Sequence, residues 1–452
     1  MTFPDNIFAG QSFAVVGLGR NGLPAAHALR AMGAEVVAWD DGEAARAAAS
    51  GLDVRRPEMA GLDALVLSPG IPHALPCPHP LATAAREAGV PILSDAELLF
   101  QAVRAAGSRA GFVGITGTNG KSTTTALLAH LLEQAGRPVA AGGNLGTAAL
   151  ALPLLPDDGA YVLEMSSYML ERLVTLRFLA AAMLNLSPDH LDRHGDMAGY
   201  ARAKRAIFDR QMAGDLAVIG IDDAPSRDMA ASLRSGPARV VTISGSGGAD
   251  VHAVGGVLQD AQGRIADLAR APALPGPHNA QNAAAAAAIA LALGLPRAAI
   301  AQGLETYPGL PHRQELVGEI GGIRFVNDSK ATNADSAARA LGCYDRVIWI
   351  AGGMAKEGGI APLAPWFPRI ALALLIGRDA PMLAETLAAH GVPHRIAGTL
   401  DAATVQAWDA ARGGLADVVL LSPACASWDQ FTGFDQRGDA FRAQVRAMAE
   451  AA

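Results

Sequence analysis

The strongest constraint on the fold comes from residues 111–125, which read Gly-Phe-Val-Gly-Ile-Thr-Gly-Thr-Asn-Gly-Lys-Ser-Thr-Thr-Thr. The apolar run gives way to a glycine-rich turn and then to a helical pattern, which predicts a strand, a tight loop and a helix. In such a loop the backbone N–H groups converge on an anion, and the N-terminal end of the helix adds positive charge. Lys121 adds a point charge, and the Ser122 hydroxyl can bind Mg²⁺. The stretch therefore predicts a phosphate-binding loop.

The match to the general phosphate-loop pattern is imperfect. That pattern has glycine where this chain has Ile115, and Gly114 and Gly117 stand on either side of it. A structural strand-to-helix turn with an exposed lysine is the alternative. The combination of strand, glycine loop, Lys-Ser pair and helix favours phosphate binding.

Composition limits the class of protein that contains this loop. The chain has 452 residues, which is too long for one ordinary core and predicts about three domains. Hydrophobic residues make up 51% and charged residues 17%, so a disordered chain is excluded. The net charge is −7 and there is no long basic block, which argues against nucleic acid as the main partner.

The cysteines and the apolar segments indicate the compartment. Cys77, Cys343 and Cys425 are odd in number and far apart, so the sequence contains neither a disulfide framework nor a paired-cysteine metal site. The start Met-Thr-Phe-Pro-Asp lacks the basic stretch of a signal peptide, and the apolar segment 283–293 is too short to span a bilayer. We expect a cytoplasmic protein without a membrane partner, in which 283–293 is a buried helix.

A second glycine loop near the start predicts nucleotide binding. Residues 12–17 predict a buried strand, residues 17–22 have the spacing Gly-x-Gly-x-x-Gly, and Asp40 follows the next strand. Glycines at this spacing admit a pyrophosphate to a helix N-terminus, and an acidic residue about 20 positions later meets a ribose. A purely structural turn is the alternative. The region is too small for a complete dinucleotide fold, so we expect one α/β nucleotide domain over residues 1–107.

Polar residues at predicted strand ends indicate a site within residues 108–309. Glu164 lies inside an apolar strand, where a carboxylate is costly unless it is paired or bound to metal. The strand 180–187 is followed by His190 and His194 at its carboxyl end, where ligands gather on parallel sheets. No third nitrogen or sulfur ligand for zinc is evident, so an oxygen-rich Mg²⁺ site with at most one histidine fits better.

Other features of this region have open alternatives. The glycine loop 141–146 is either a ligand-binding turn or a simple connection. Asn279 and Asn282 lie at the start of a helix, where both amides can face one ligand or can cap the helix. Lys204 lies on the predicted helix 200–208, and composition alone makes it a solvated lysine.

The remaining chain predicts another α/β domain over residues 310–452. Strands are predicted at 324–327, 347–350, 371–376 and 418–421, with helices between them. Polar loops follow these strands, among them residues 352–356 and 422–434. We therefore expect an α/β protein of three domains, in which Rossmann-like N-terminal and C-terminal domains flank a central ATP-binding domain of the phosphate-loop type with a parallel sheet.

These motifs together resemble the Mur ligases, the ATP-dependent amide-forming enzymes of peptidoglycan precursor synthesis. The resemblance rests on the loop 114–123, Glu164 with Ser166-Ser167, Asp189-His190-Leu-Asp-Arg193 and Tyr200-x-x-x-Lys204. In the last domain it rests on His312-Arg313, Asn327-Asp-Ser-Lys330, Thr332, Lys356 and residues 422–431. These last motifs resemble most closely the member that adds D-glutamate to UDP-N-acetylmuramoyl-L-alanine. The similarity extends from the first glycine loop to Arg437-Gly438.

The resemblance implies a role for each candidate residue. ATP is implied to bind at Gly117, Thr118, Asn119, Gly120, Lys121, Ser122, Thr123, Asn279, Asn282, Arg313 and Asp328. The nucleotide substrate and D-glutamate are implied to bind at Arg20, Asn21, Asp40, Gly70, Asn144, Lys330, Thr332, Lys356, Ser427 and Phe434. The implied catalytic residues are Lys121, His190 and a carbamylated Lys204. The implied ligands of Mg²⁺, as two ions, are Ser122, Glu164, His190 and Lys204.

The implied reaction starts with transfer of the ATP γ-phosphoryl group to a carboxylate, and the amine of glutamate then attacks the acyl phosphate. We expect a monomer. Trp428 stands where the resemblance predicts a smaller apolar residue, so L-glutamate or another amino acid is an alternative to D-glutamate.

Rival interpretations are a folylpolyglutamate type of ligase, an NAD-linked oxidoreductase and a non-catalytic phosphate-loop switch protein. The NAD-linked interpretation leaves Lys121, Glu164 and Lys204 without a function.

Overall fold

The structure, a computed structural model, describes residues 1–144 and 146–451. Leu145, which belongs to the predicted glycine loop 141–146, and Ala452 lie outside the described residues. The chain divides into two compact units. Unit 1 comprises Met1–Ala271 and Pro277–Tyr307, and unit 2 comprises Pro272–Gly276 and Pro308–Ala452.

The first sheet of unit 1 is parallel throughout. Its strands are β1 (Ser12–Val16), β2 (Glu35–Trp39), β3 (Asp53–Val54), β4 (Ala64–Leu67) and β5 (Ile92–Leu93), in the order β3-β2-β1-β4-β5. The helices of this region are α1 (Gly22–Ala31), α2 (Glu43–Ala48), α3 (Pro80–Glu87) and α4 (Asp95–Ala105). Because β2 and β4 flank β1 in parallel, the loops that follow these three strands meet at one edge of the sheet.

The second sheet of unit 1 carries the predicted phosphate-binding loop. Its strands are β6 (Gly111–Thr116), β7 (Val139–Gly143), β8 (Ala160–Glu164), β9 (Ala180–Met183), β10 (Leu216–Gly220), β11 (Arg239–Ser244), β12 (Val251–Val254), β13 (Val257–Asp260) and β14 (Gly263–Asp267). Their order is β14-β13-β12-β11-β10-β9-β6-β8-β7. The pairing is parallel from β7 to β12 and antiparallel among β12, β13 and β14. The loops after β7, β8, β6 and β9 therefore lie side by side.

The helices that cover the second sheet are α5 (Lys121–Gln134), α6 (Ser167–Leu170), α7 (Leu191–His194), α8 (Met197–Arg205), α9 (Ala224–Leu233), α10 (Pro277–Ala292) and α11 (Arg297–Thr306). The predicted buried helix is confirmed, because α10 buries every residue from Ala283 to Ala290. Short 3₁₀ turns occur at Ala149–Ala151 and Leu268–Arg270. Each helix in the described part of the chain is too short or too polar for a membrane span.

One hydrophobic core joins both sheets of unit 1. It includes Phe13 of the first sheet, Leu99 of α4, and Phe112 and Tyr161 of the second sheet. The rings of Phe112 and Tyr161 stack with their centroids 4.7 Å apart. Helix α4 takes part in this core, and its Phe100 ring lies 5.2 Å from the Phe112 ring of the second sheet.

Unit 2 contains a mostly parallel sheet. Its strands are β15 (Glu315–Ile320), β16 (Ile323–Asn327), β17 (Val347–Gly352), β18 (Ile370–Ile376), β19 (His394–Gly398) and β20 (Val418–Leu421), in the order β15-β16-β20-β17-β18-β19. Only the pair β15–β16 is antiparallel among the described strands of this sheet. The helices are α12 (Ala334–Leu341), α13 (Ala380–Ala389), α14 (Leu400–Arg412) and α15 (Phe434–Ala451), with a 3₁₀ segment at Ala361–Arg369. The predicted α/β class is confirmed, whereas the domain boundaries at residues 107 and 309 stay predictions.

Candidate active site

Residues 117–120 form a tight loop between β6 and α5, and we call them the phosphate loop. Gly120 has a φ angle of 85°, and a Cβ atom at this position would lie 2.2 Å from Asn282 Oδ1. Glycine is therefore required there for both its conformation and its size. Asn282 Oδ1 accepts a hydrogen bond from Thr124 Oγ1 (3.2 Å), and Asn282 Nδ2 donates to Asn279 Oδ1 (3.1 Å). The predicted asparagine pair thus lies directly against the phosphate loop.

The segment after β9 holds the other side of the phosphate loop. Thr118 N donates to Asn185 O (2.9 Å), and Asn119 N donates to Asn185 Oδ1 (2.9 Å). Asn185 Nδ2 returns a hydrogen bond to Asn119 O (3.1 Å). Sequence reasoning missed Asn185, although it is a polar residue between two leucines, the same kind of signal that identifies Glu164.

The side chains of Lys121 and Lys204 meet on one carbonyl oxygen of the phosphate loop. Lys121 Nζ donates to Gly117 O (3.0 Å) and Thr118 O (2.9 Å), and Lys204 Nζ donates to Gly117 O (2.9 Å). Lys204 is 2% exposed, so the expectation of a solvated lysine is wrong. Burial lowers the pKa of Lys204 well below its ordinary value, and the Lys121 ammonium lowers it further. The site therefore favours the neutral amine of Lys204.

Glu164 ends β8 beside the phosphate loop and is 2% exposed. Its Oε1 accepts a hydrogen bond from Asn144 Nδ2 (2.9 Å). Its Oε2 has no hydrogen-bond partner within residues 1–144 and 146–451. A buried carboxylate oxygen without a partner is costly, and Mg²⁺ prefers oxygen ligands. Glu164 therefore fits the predicted metal site, with Ser122 and Thr123 in the adjoining first turn of α5.

His190 lies at the open side of the site, between β9 and α7. Its φ angle of 52° is uncommon for a residue other than glycine, and its side chain is 47% exposed. Burial lowers the pKa of His190, and Lys204 and Lys121 act in the same direction against the opposing effect of Asp189. The neutral imidazole is the form that binds metal.

His194 is buried, and both of its ring nitrogens contact neighbouring side chains. Its Nε2 lies 2.9 Å from Ser167 Oγ and its Nδ1 lies 3.3 Å from Glu171 Oε1. Of the predicted pair, His194 is therefore buried in these contacts and His190 is the exposed histidine, while the Mg²⁺ site stays a prediction.

A cleft of about 480 Å³ lies at the carboxyl edge of the first sheet. Its lining includes Arg20, Asn21, Asp40 and Gly70, which the resemblance places at the nucleotide substrate, and Asn144, another predicted substrate residue. Asp40 also has a structural role, because its carboxylate accepts hydrogen bonds from Leu18 N (2.7 Å) and Gly42 N (2.8 Å). It therefore fixes the first glycine loop as well as lining the cleft.

Two arginines from the second sheet region hold the loop that follows β4. Arg172 is 2% exposed, and its guanidinium donates to the carbonyl oxygens of Leu67 (2.6 Å), Ser68 (3.1 Å) and Ile71 (2.6 Å). Arg193 Nη1 donates to Gly70 O (2.9 Å). The cleft is therefore shaped by both sheets of unit 1. Sequence reasoning missed Arg172, because nothing in its local pattern distinguishes it from a solvated arginine.

Asp95 gives unit 1 a predicted pH dependence of stability. Its carboxylate accepts hydrogen bonds from Ala149 N (2.9 Å) and Asn21 Nδ2 (3.5 Å) and is buried. Burial raises the pKa of Asp95 from 3.8 to about 6, against these hydrogen bonds. Between these values the folded state keeps a proton that the unfolded chain has lost. The free energy of unfolding therefore falls by about 3 kcal/mol as the pH rises from about 4 to about 6.

The variant Asp95→Asn removes this titration. We expect the free energy of unfolding of the variant, minus that of wild type, to increase by about 3 kcal/mol between about pH 4 and about pH 7. Urea unfolding across this range measures the difference. A difference that stays constant with pH would contradict the prediction.

The predicted residues of the last domain gather at the carboxyl edge of the sheet in unit 2. Lys330 and Thr332 follow β16, Lys356 follows β17 and Ser427 follows β20, while Phe434 begins α15. Lys330 Nζ lies 4.2 Å from the centroid of the Phe434 ring. Trp428, in the loop after β20, is 67% exposed. The amino-acid candidates therefore lie on loops of adjacent strands.

The predicted ATP residues are divided between the two units. Residues 117–123, Asn279 and Asn282 belong to unit 1, and Arg313 and Asp328 belong to unit 2. Asp328 accepts hydrogen bonds from Ser422 Oγ (2.7 Å) and Gln314 N (3.2 Å), and burial raises its pKa to about 7.

Comparison with known proteins gives matches over nearly the whole chain. The family model of the Mur ligase middle domain matches residues 115–290, and that of the Mur ligase glutamate ligase domain matches residues 312–425. The chain is 54% identical over 451 residues to UDP-N-acetylmuramoylalanine–D-glutamate ligase of Paramagnetospirillum magneticum, with 98% of each chain covered. It is 48% identical to the protein of the same name from Caulobacter vibrioides, with 98% of this chain and 97% of that protein covered.

A solved structure supports the fold. The crystal structure of MurF from Acinetobacter baumannii has a TM-score of 0.61 to this chain, covers 99% of it over 93% of its own length, and is 19% identical.

Proposed function

The chain belongs to the Mur ligase family, and we propose that it joins D-glutamate to UDP-N-acetylmuramoyl-L-alanine in peptidoglycan precursor synthesis, with conversion of ATP to ADP and phosphate. Members of the family use ATP and Mg²⁺. The observation that carries the proposal is that Lys204 and Glu164 are both buried beside the phosphate loop. Burial lowers the pKa of the Lys204 amine, and Glu164 Oε2 has no hydrogen-bond partner among the described residues. The relatives that carry this activity in their names cover nearly the whole chain.

The phosphate loop and Lys121 supply the phosphate site in this proposal. The backbone N–H groups at the start of α5 point towards a bound anion, and the helix N-terminus adds partial positive charge. Lys121 exchanges its contacts with the loop carbonyls for the ATP phosphates. These groups stabilise negative charge as the γ-phosphorus moves from ADP to the substrate carboxylate, which forms an acyl phosphate.

Lys204 becomes an anion in this proposal. The unprotonated amine attacks the carbon of CO₂ and loses a proton, which gives a carbamate in the place of a cation. The depressed pKa of the Lys204 side chain supports this step, because only the neutral amine is nucleophilic. The carbamate would join Ser122, Glu164 and His190 in holding two Mg²⁺ ions, which when bound withdraw electron density from the phosphates.

The loops of unit 2 bind the incoming amino acid in this proposal. Lys330 and Lys356 offer cations to the two carboxylates of glutamate, and Ser427 offers a hydroxyl. The amine of glutamate, after loss of a proton, attacks the carbonyl carbon of the acyl phosphate, and the C–O bond to phosphate breaks. The cleft of unit 1 holds the uridine diphosphate through Arg20, Asn21, Asp40 and Gly70, and Asn144 lies between this cleft and Glu164.

The assay that tests the proposal measures phosphate release from ATP and Mg²⁺ with UDP-N-acetylmuramoyl-L-alanine. D-glutamate, L-glutamate and no amino acid are compared. We expect release only when both the nucleotide substrate and D-glutamate are present. Release with L-glutamate, or without any amino acid, would overturn the assignment. We also propose a cytoplasmic monomer, and light scattering of the purified chain tests the oligomeric state.

A further inference from the structure

Arg437 is a buried cation in the first turns of α15. It is 1% exposed, and it belongs to no motif that sequence reasoning assigned to a ligand. Its Nε donates to Ser329 Oγ (2.9 Å) and its Nη2 donates to Ser329 O (2.8 Å). Nη1 and Nη2 each donate to Cys425 O (3.2 Å), and Nη1 also lies 3.4 Å from Gly352 O.

The acceptors of Arg437 lie on three different loops. Ser329 follows β16, Cys425 follows β20 and Gly352 ends β17, and these strands are neighbours in the order β16-β20-β17. The same loops carry the candidates for the incoming amino acid, because Lys330 is next to Ser329, Ser427 follows Cys425, and Lys356 follows Gly352. One planar guanidinium therefore fixes the spacing of three loops.

The contacts of Arg437 continue towards the candidates for binding the incoming amino acid. Ser329 Oγ, which accepts from Arg437, donates to Phe434 O (2.7 Å), and the Phe434 ring lies 4.2 Å from Lys330 Nζ. The next residue of α15 is also fixed. Gly438 O accepts from Asn327 Nδ2 (3.1 Å), and a Cβ at Gly438 would lie 2.2 Å from His312 Nδ1. The start of α15 is thus locked against the loop ends.

The charge of Arg437 has a consequence for the ligand. Burial lowers the pKa of Arg437 to about 10, so the side chain stays charged at neutral pH. Its hydrogen bonds, taken over the residues that the structure describes, go to carbonyl and hydroxyl oxygens rather than to carboxylates. Asp429 and Asp328 favour its charged form from nearby, but neither accepts a hydrogen bond from it among the described residues, and a buried cation of this kind favours a nearby anionic ligand.

We propose that Arg437 is a positioning residue for the incoming amino acid. It holds the loops after β16, β17 and β20 at the separation that a dicarboxylic amino acid requires, and it contributes positive potential there without touching the ligand. This inference rests on the proposed function.

The test compares full-length wild type with Arg437→Lys, Arg437→Gln and the control Arg369→Lys. Arg369 makes the same kind of contact in the same unit, because its Nη1 donates to Gly342 O (3.1 Å) and Tyr344 O (2.9 Å), but it precedes β18 and lies away from these loops. Lysine at 437 keeps the charge and loses the fork of donors. We expect Arg437→Lys to raise KM for D-glutamate by about tenfold or more and to change KM for the nucleotide substrate by less than about twofold. The control is expected to change neither constant beyond about twofold.

Hydrogen exchange gives a second readout that does not depend on turnover. In Arg437→Lys we expect faster exchange in peptides covering 327–333, 352–356 and 425–431, with protection of β18 unchanged.

If Arg437→Gln does not fold, the kinetics and the hydrogen exchange of Arg437→Lys decide. Equal changes in both KM values, unchanged KM for the amino acid, or unchanged exchange in the three loops would each overturn the inference. Wild type that uses an amino acid other than D-glutamate would instead reject the proposed function, and the KM comparison would then be made with that amino acid.

Discussion

Alanine in place of Lys204 is expected to lower kcat for ligation by about a thousandfold or more, since it removes the group that would carry the carbamate. Lys204 is buried and its amine meets the same carbonyl oxygen as Lys121, so the unmodified side chain offers no anionic group at this position. As a carbamate it would supply an anion to Mg²⁺. The measurement is steady-state phosphate release at saturating substrates.

Small carboxylic acids and bicarbonate make this prediction specific. Formate or acetate can enter the space left by Lys204→Ala, so we expect partial recovery of its activity with these acids. Wild type is expected to lose activity in CO₂-depleted buffer and to regain it with bicarbonate. The control Arg202→Ala lies on the same helix with an exposed side chain and is expected to retain activity. Full activity of Lys204→Ala without any added acid would refute the carbamate.

Glutamine in place of Glu164 is expected to reduce kcat by about a hundredfold to a thousandfold, because it replaces the carboxylate oxygen proposed to bind Mg²⁺ by an amide. The carbonyl of the introduced amide can still accept the hydrogen bond from Asn144 that Glu164 Oε1 accepts in wild type. The amide nitrogen would then lie where Oε2 lacks a partner among the described side chains and backbone groups. We therefore expect the variant to keep the fold and to lose the proposed cation site.

Titration with Mn²⁺ followed by electron paramagnetic resonance measures the site directly. We expect weaker Mn²⁺ binding to Glu164→Gln in the presence of an ATP analogue, and an unchanged thermal midpoint. Glu133→Gln, at an exposed position of α5, is the matched control and is expected to bind Mn²⁺ as wild type does. Unaltered Mn²⁺ affinity in Glu164→Gln would remove this residue from the metal site.

Local sequence signals predicted the elements that carry the phosphate site. The glycine run before Lys121 reflects what the loop requires. Gly120 has a positive φ angle and lies so close to Asn282 that a larger residue would not fit. Glu164 was detectable because a carboxylate in an apolar run is rare without a partner. The α/β class followed from apolar runs that alternate with helical patterns.

The supporting residues were not predictable in this way, because their environment depends on distant parts of the chain. The burial of Lys204 is set by β6 and the phosphate loop, which lie far from it in sequence. Arg172 donates hydrogen bonds to carbonyl oxygens about a hundred positions earlier in the chain. Arg437 donates hydrogen bonds to oxygens on three separate loops. Single-sequence patterns report local periodicity and give no information on such pairings.

The contacts of Lys121 bear on how fast ATP can bind. In the structure its ammonium is folded back onto Gly117 O and Thr118 O, while Asn185 and Asn282 brace the loop from two sides. These contacts hold the loop in its conformation, in part through the side chain of Lys121 itself. Little backbone ordering is left to occur on association, so most of the intrinsic binding energy is retained as affinity. If the loop binds ATP as proposed, entry of the triphosphate would exchange these lysine contacts for phosphate contacts without a folding of the loop.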